Sequence, residues 1–297
     1  MDTVEEDRNS LQKHQERCLA VLQELTMMSD LLARNVLKDP DCAAYVLQVI
    51  LDDPSLRIES LTVQKDYKNL YGRSAVLDCV VKDAAGRLYD VEIQQDNEGA
   101  QPTRARYYSA LLDMNTLDPG EQFDRLPESY VIFITQGDIP GDGLPIYHIR
   151  RMVEETGKHF GDRSHIIYVN ASLQEDTELG HLMHDFHCRS AADMYSPVLA
   201  GKLRELKESP EGVSVMCTEL LQLREEGRAE GRAEGRMEGR AEGRIEGRAE
   251  GRMEGREEGE YNRAVAIAGS LLKAGMDHAL IAEHTGLPLE EIDRLSA

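Results

Sequence analysis

The stretch AVLDCVVKDAAGRLYDVEIQQ, residues 75–95, constrains this chain more than any other. Two runs rich in Val, Leu and Ile flank Asp83-Ala84-Ala85-Gly86, whose residue types suit a hairpin turn. With residues 83–86 as the loop, paired positions sum to about 169. Asp78 then faces Val91, one residue from Glu92, and cross-strand neighbours hold their Cβ atoms about 5 Å apart. Asp90, Glu92 and Gln94 share one face by the period of two. Carboxylates this close repel unless a cation sits between them or one is protonated. A cluster of oxygen donors suits Mg²⁺ or Mn²⁺, and such an ion polarises phosphoryl groups and activates water. The competing reading is an ordinary hairpin with its acids on the solvent face. Asp78 speaks against that reading, because it lies inside the apolar run AVLDCVV, where an unpartnered charge is costly.

The flanking segments extend the pattern. Residues 1–24 read as a helix, with Leu11, Cys18, Leu22 and Leu25 near heptad spacing. Residues 29–51 read as two helices, with Ser29 or Asp30 as a cap of the first and Pro40 opening the second. Strands are expected at 56–64, 75–82, 87–94, 130–136 and 165–169, and a helix at 103–117. IYHI, residues 146–149, reads as a strand or a helix start. The order of these elements implies an α/β core, a mixed sheet with helices packed on it. We expect a domain at 25–200, a charged segment at 201–260 and a small helical module at 261–297.

From Arg224 to Glu260 the chain repeats Glu-Gly-Arg with a variable fourth residue. A glycine at every fourth place weakens a helix, and the i,i+4 pairs are like-charged. Against this, Ala229, Ala233, Met237, Ala241, Ile245, Ala249 and Met253 form an apolar stripe of period four, which implies right-handed association. The segment is therefore an oligomerising helix or a charged spacer. The tail that follows resembles a helix-turn-helix, but its last helix, PLEEIDRL, offers only Arg294 to phosphate.

Net charge is −21. Outside the repeat 25 basic residues face 43 acidic ones, so broad electrostatic binding to nucleic acid is disfavoured. A metal-bridged site stays open, because a cation inverts the local charge logic. No apolar run nears the roughly 18–20 residues of a membrane span. The start, MDTVEEDRNS, reads as neither a secretory nor a transit segment, so the cytoplasm is the expected location. Five scattered cysteines without a CxxC pair imply reduced, buried thiols. His181, His184 and Cys188 share a helix face in HLMHDFHC, a zinc pattern or simply a polar face.

Taken together, Asp78 in AVLDCVV, the turn at Gly86, Glu92-Ile93-Gln94 in DVEIQ, the basic-aromatic helix TRARYYSALL and the strand VIFIT resemble the PD-(D/E)XK nuclease superfamily. Within it the chain is similar to the Rpn family of recombination-promoting nucleases and transposases, over roughly residues 27–200, with an echo in the EGR stretch and IAEHTGLPLEEIDRL. The resemblance implies a restriction-endonuclease-like fold and divalent-metal-dependent cleavage of DNA. By position it implies Asp78 and Glu92 as metal ligands with the Ile93 carbonyl, and Gln94 in place of the usual lysine. Asp30 is a further candidate acid near the family's early Asp motif, and a helix cap explains it equally well. Arg104 and Tyr108 are candidates for phosphate contact or positioning. Two departures stand out: the acidic globular part, and LLARNVLKDPD where the family pattern is Phe-rich with a Gly. They keep a second function in view, a weak or inactive nuclease fold serving as an oligomerising DNA- or protein-binding module.

Overall fold

In the computed structural model, residues 16–67 and 75–296 are described. They divide into two compact units, one ending at Leu223 and one beginning at Arg224. The first unit opens with helix α1, residues 16–24, so Leu11 lies outside the described residues. Helices α2 (Asp30–Leu37) and α3 (Pro40–Leu51) follow. Pro40 opens α3 as expected, and the Asp39 carboxylate caps it by accepting from the N–H groups of Asp41 and Cys42. At α2 the capping expectation fails. Ser29 occupies the N-cap position, but its hydroxyl caps no helical N–H and accepts from the Thr26 N–H instead, and Asp30 is already the first helical residue.

Strands β1 (Ile58–Tyr67), β2 (Ala75–Asp83) and β3 (Leu88–Gln94) form an antiparallel meander. Helix α4 (Pro102–Met114) then crosses to β4 (Ser129–Thr135), which lies parallel to β3. β5 (Ile146–Ile149) resolves the ambiguity of IYHI as a strand. A small separate hairpin of β6 (Met152–Val153) and β7 (Lys158–His159) was not foreseen. β8 (Ser164–Asn170) closes the series, and the six-stranded sheet runs β1-β2-β3-β4-β8-β5. This is the expected mixed sheet of restriction-endonuclease-like type.

Both faces of the central strands are covered, so their side chains alternate between two cores. Val91, Ile132, Ile134 and Val169 face the larger core beneath α2, α3, α5 (Glu178–His187) and α6 (Pro197–Glu208). Val80, Val131, Phe133 and Tyr168 face α4 and pack on Tyr108, Leu111 and Leu112. Asp90 and Glu92 alternate with Tyr89, Val91 and Ile93 of the larger core and so lie on this second face.

The hairpin register differs by one from the sequence reading. Cys79 pairs with Val91 and Val80 with Asp90, so positions sum to 170, and just past the end of this ladder the Asp78 N–H reaches the Glu92 carboxylate. The cause is Asp83. It ends β2 instead of entering the loop, because its buried carboxylate accepts from the N–H groups of Ala85 and Arg87, the Arg87 guanidinium and the Tyr89 hydroxyl. The turn is thus three residues, closed by Gly86 at φ +83°.

Several polar contacts fix the segment that leads into α2. The Met28 N–H bonds the Phe186 carbonyl, and the Gln95 amide donates to the Met28 carbonyl at 2.9 Å. Lys207 on α6 reaches the carbonyls of Gln23, Leu25 and Arg189. Glu219, at the start of α7 (Pro210–Lys273), accepts from Arg34, Asn35 and Lys38 of α2. Cys18 and Cys217 form a disulfide between α1 and α7, which corrects the expectation of thiols alone. Cys42, Cys79 and Cys188 remain free and buried.

In the second unit, the end of α7 packs with α8 (His278–Thr285) and α9 (Leu289–Ser296) around Ala268, Ile281, Leu287 and Ile292. No described helix is long and apolar enough to cross a membrane.

Candidate active site

β2 and β3 bring the two central acids side by side. The Asp78 N–H donates to Oε1 of Glu92 at 2.9 Å, and the Ile93 N–H reaches Oδ2 of Asp78 at 3.4 Å. Glu92 is fully buried, and Asp78 lies in front of it on the wall of a cavity of about 950 Å³. Asp30, Ile93, Gln94, Asp96 and Glu98 line the same cavity. The structure therefore gathers Asp30, Asp78, Ile93 and Gln94 on one opening, with Glu92 behind them.

The electrostatics are those of an acid-rich site with one close counter-charge. Burial, then the charge of Asp30, pushes the Asp78 carboxyl above the usual range. Burial, then Asp78, does the same to Glu92. Arg104 on α4 opposes both shifts, with Nη2 at 3.4 Å from Oε2 of Glu92. Asp90 carries the pattern deeper. It is fully buried, neither of its oxygens has a hydrogen-bond partner of good geometry, and burial with Glu92 and Asp78 beside it raises its pKa well above normal. A carboxyl in that position is held neutral.

Arg104 and Tyr108 act as one unit. The Arg104 Nε donates to the Tyr108 hydroxyl at 2.8 Å, and the guanidinium lies over the ring at 4.9 Å. Tyr108 is itself buried against Phe133. Its surroundings make it a support for Arg104 and a core residue together.

Two contributors escaped the sequence reading. Gln95 holds the loop before Asp30 through the Met28 carbonyl. Gly99 lies so close to Gln94 that a Cβ there would stand 2.0 Å from Oε1 of that side chain. The Gln94 amide donates to Oε2 of Glu92 at 3.4 Å, so Gly99 leaves room for that pose. Gly99→Ala is expected to displace the Gln94 amide with little loss of stability, since a flexible side chain gives way. A crystal structure of the variant is the check, and an unmoved Gln94 amide there would sink the placement.

The donor set fits a hard divalent cation. The polar side chains facing the cavity, Ser29, Asp30, Asp78, Gln94, Gln95, Asp96 and Glu98, all carry oxygen, and four of them are carboxylates. Among the described residues, the three donors from His, Cys, Asp or Glu that come within 4.8 Å of one another are His184, Asp185 and Cys188, not the acids of the cavity. A cation at Asp78 and Glu92 would thus be completed by main-chain carbonyl and water, the habit of Mg²⁺. The His184 group has another occupation. Both Asp185 oxygens accept main-chain N–H groups, from Tyr195 at 2.7 Å and Ser196 at 2.8 Å. His181, expected on the same face, turns to Asp176 and stacks on Tyr195.

Compared with known families, residues 39–179 match one described as PD-(D/E)XK nuclease family transposase. No curated protein and no solved structure matches the chain.

Proposed function

We propose, on the match of residues 39–179 to the PD-(D/E)XK nuclease family transposases, that the chain is a divalent-metal-dependent DNA endonuclease centred on Asp78 and Glu92. The observation that carries the reading is the direct hydrogen bond between these two acids, from the Asp78 N–H to the Glu92 carboxylate, beside an open cavity lined by Asp30, Asp78, Asp96 and Glu98. Asp78, Glu92 and the Ile93 carbonyl would hold Mg²⁺ or Mn²⁺, with Asp30 as an outer acid. Such an ion supplies polarisation of the phosphodiester and a lowered pKa for the attacking water. The Gln94 amide orients water by hydrogen bonding and carries no charge of its own. Arg104 offsets the charge on Glu92, and Tyr108 fixes the guanidinium in place. On the same reading the repeat of α7 self-associates, and the small C-terminal unit is a packing module.

The test is nicking of supercoiled plasmid by the purified chain in Mg²⁺ or Mn²⁺, abolished by chelation. Arg104→Ala refines it. Arg104 lowers the pKa of both acids, so its removal raises them further and the ionised pair forms only at higher pH. The rising limb of the pH–rate profile should move up by about one unit. A lower rate with an unmoved profile would rule out this electrostatic role.

One observation favours the alternative, a nuclease fold that binds without cutting. Glu92 has no exposed surface, and Gln94 stands where a positive charge would stabilise developing negative charge. Metal binding by calorimetry that requires Asp78, together with no nicking under any metal, would establish it.

A further inference from the structure

The repeat within α7 has a charge arrangement that one helix cannot satisfy. Between Gly227 and Gly255 each unit reads Gly, Arg, an apolar residue, Glu. At about 100° and 1.5 Å per residue, positions of period four trace four stripes roughly 90° apart, in that order around the helix. The Arg stripe and the Glu stripe lie on opposite sides, and the apolar stripe runs between them. Arg and Glu are separated by two or six positions, never three or four, so they do not meet on their own helix. The ion pair seen within the repeat, Arg256–Glu260, falls where the pattern breaks into Arg-Glu-Glu-Gly-Glu.

Among the described residues, none covers this stretch. Residues 224–263 are all exposed, with Met237 at 67%, Ile245 at 70% and Met253 at 63%. The glycines from Gly227 to Gly259 each cost about 1 kcal/mol against alanine in a helix interior. A lone helix of this composition lacks both packing and internal ion pairs.

We propose that the stripe from Ala229 to Met253 packs against the same stripe of a second copy of this chain, parallel and in register. The orientation follows from symmetry. In a parallel pair the two-fold axis runs along the helices, so the Arg stripe of one copy meets the Glu stripe of the other on both flanks. In an antiparallel pair the axis is perpendicular, and Arg would meet Arg while Glu meets Glu. Like charges in contact are destabilising, so the pattern selects the parallel arrangement and works against the other. The contact is a right-handed crossing. A period-four stripe advances about 40° per repeat in the sense of the helix, which matches the packing of i±4 ridges near −50°. The alanines of the stripe let the two backbones approach closely there. Because the chains run in one direction, the two units that end at Leu223 leave the pair from the same end.

This inference deepens the self-association proposed above, and the experiment separates the two. Full-length chain would carry a spin label on an unnatural amino acid at Glu230 in one sample and at Glu254 in another, sites about 36 Å apart along a helix. The expected result is a mass of at least two copies, with same-site distances under about 25 Å in both samples. Same-site distances beyond about 30 Å, with short Glu230-to-Glu254 distances in mixed samples, would overturn the orientation and leave self-association standing. A monomeric mass would overturn both. A second measurement tests the charges. The triple variant Arg236→Glu, Arg240→Glu, Arg244→Glu should raise the dissociation constant at least about tenfold, and mixing it with Glu238→Arg, Glu242→Arg, Glu246→Arg should restore assembly. An unchanged constant in the first variant would remove the basis of the proposal.

Discussion

Asp78→Asn is expected to abolish cleavage while leaving the metal-free protein as stable as before or more so. Asparagine keeps an oxygen for the Ile93 N–H, so the hairpin loses no acceptor. What disappears is the negative charge beside Glu92. Cleavage should fall by at least about a thousandfold, roughly 4 kcal/mol of barrier, and the thermal shift produced by Mg²⁺ should vanish. The sign of the stability change follows from linkage. Both carboxyls have folded pKa values above their ordinary range, so their contribution is present at low pH and lost as pH rises through the folded values. Removing Asp78 relieves Glu92, and the benefit should appear at about pH 8 and be largely absent at about pH 4, where both acids are protonated in the folded chain. Thermal unfolding at the two pH values, beside the plasmid assay, separates the outcomes. Loss of cleavage with equal loss of stability at both pH values would make Asp78 a structural residue. Undiminished cleavage would remove it from the site.

The contrast between what the hairpin's sequence disclosed and what it concealed has a physical basis. Apolar alternation located β2, β3 and β4, because residues on both faces of those strands are buried and the pattern leaves no choice. The register was off by one because Asp83 looks like a turn residue by type, while its four hydrogen bonds make it the last residue of a strand. Asp78 was conspicuous as an acid in an apolar run. The companions of the cavity were not: Gln95, Gly99, Asp96 and Glu98 sit in a polar segment without periodicity, and only the folded chain turns them toward Asp78. The pairing of Cys18 with Cys217 is 199 residues apart in sequence and leaves no local signal at all. The repeat shows the reverse case. Its period is plain in the sequence, but only a continuous exposed helix makes the unpaired Arg and Glu stripes meaningful.

Lys207→Met should be the most damaging substitution outside the acid cluster, although Lys207 is remote from it in sequence. Lys207 is 4% exposed, and its ammonium group donates to three main-chain carbonyls, Gln23 at 3.1 Å, Leu25 at 2.6 Å and Arg189 at 2.7 Å. Burial pulls its pKa down to about 8, so at neutral pH it keeps the charge and all three N–H donors. Methionine fills a similar volume and supplies no donor. The three bonds are partly buried, and each carbonyl that loses its donor costs about 1 kcal/mol, so a loss of roughly 3 kcal/mol is expected, or a fall in Tm of about 6–12 °C for a unit of this size. Lys82→Met provides the comparison, because Lys82 pairs with Glu59 at the surface and should change stability by less than about 0.5 kcal/mol. The damage should also reach the site. Gln23 and Leu25 belong to the segment that delivers Asp30, which is held besides by Gln95 and by the Phe186 carbonyl. Loosening that segment moves Asp30 without touching Asp78 or Glu92. Lys207→Met assayed below its own Tm should therefore bind Mg²⁺ less tightly than wild type, whereas Lys82→Met should not. If the two variants bind the metal equally well, the segment's hold on Asp30 has no part in the site, and Lys207 serves the fold alone.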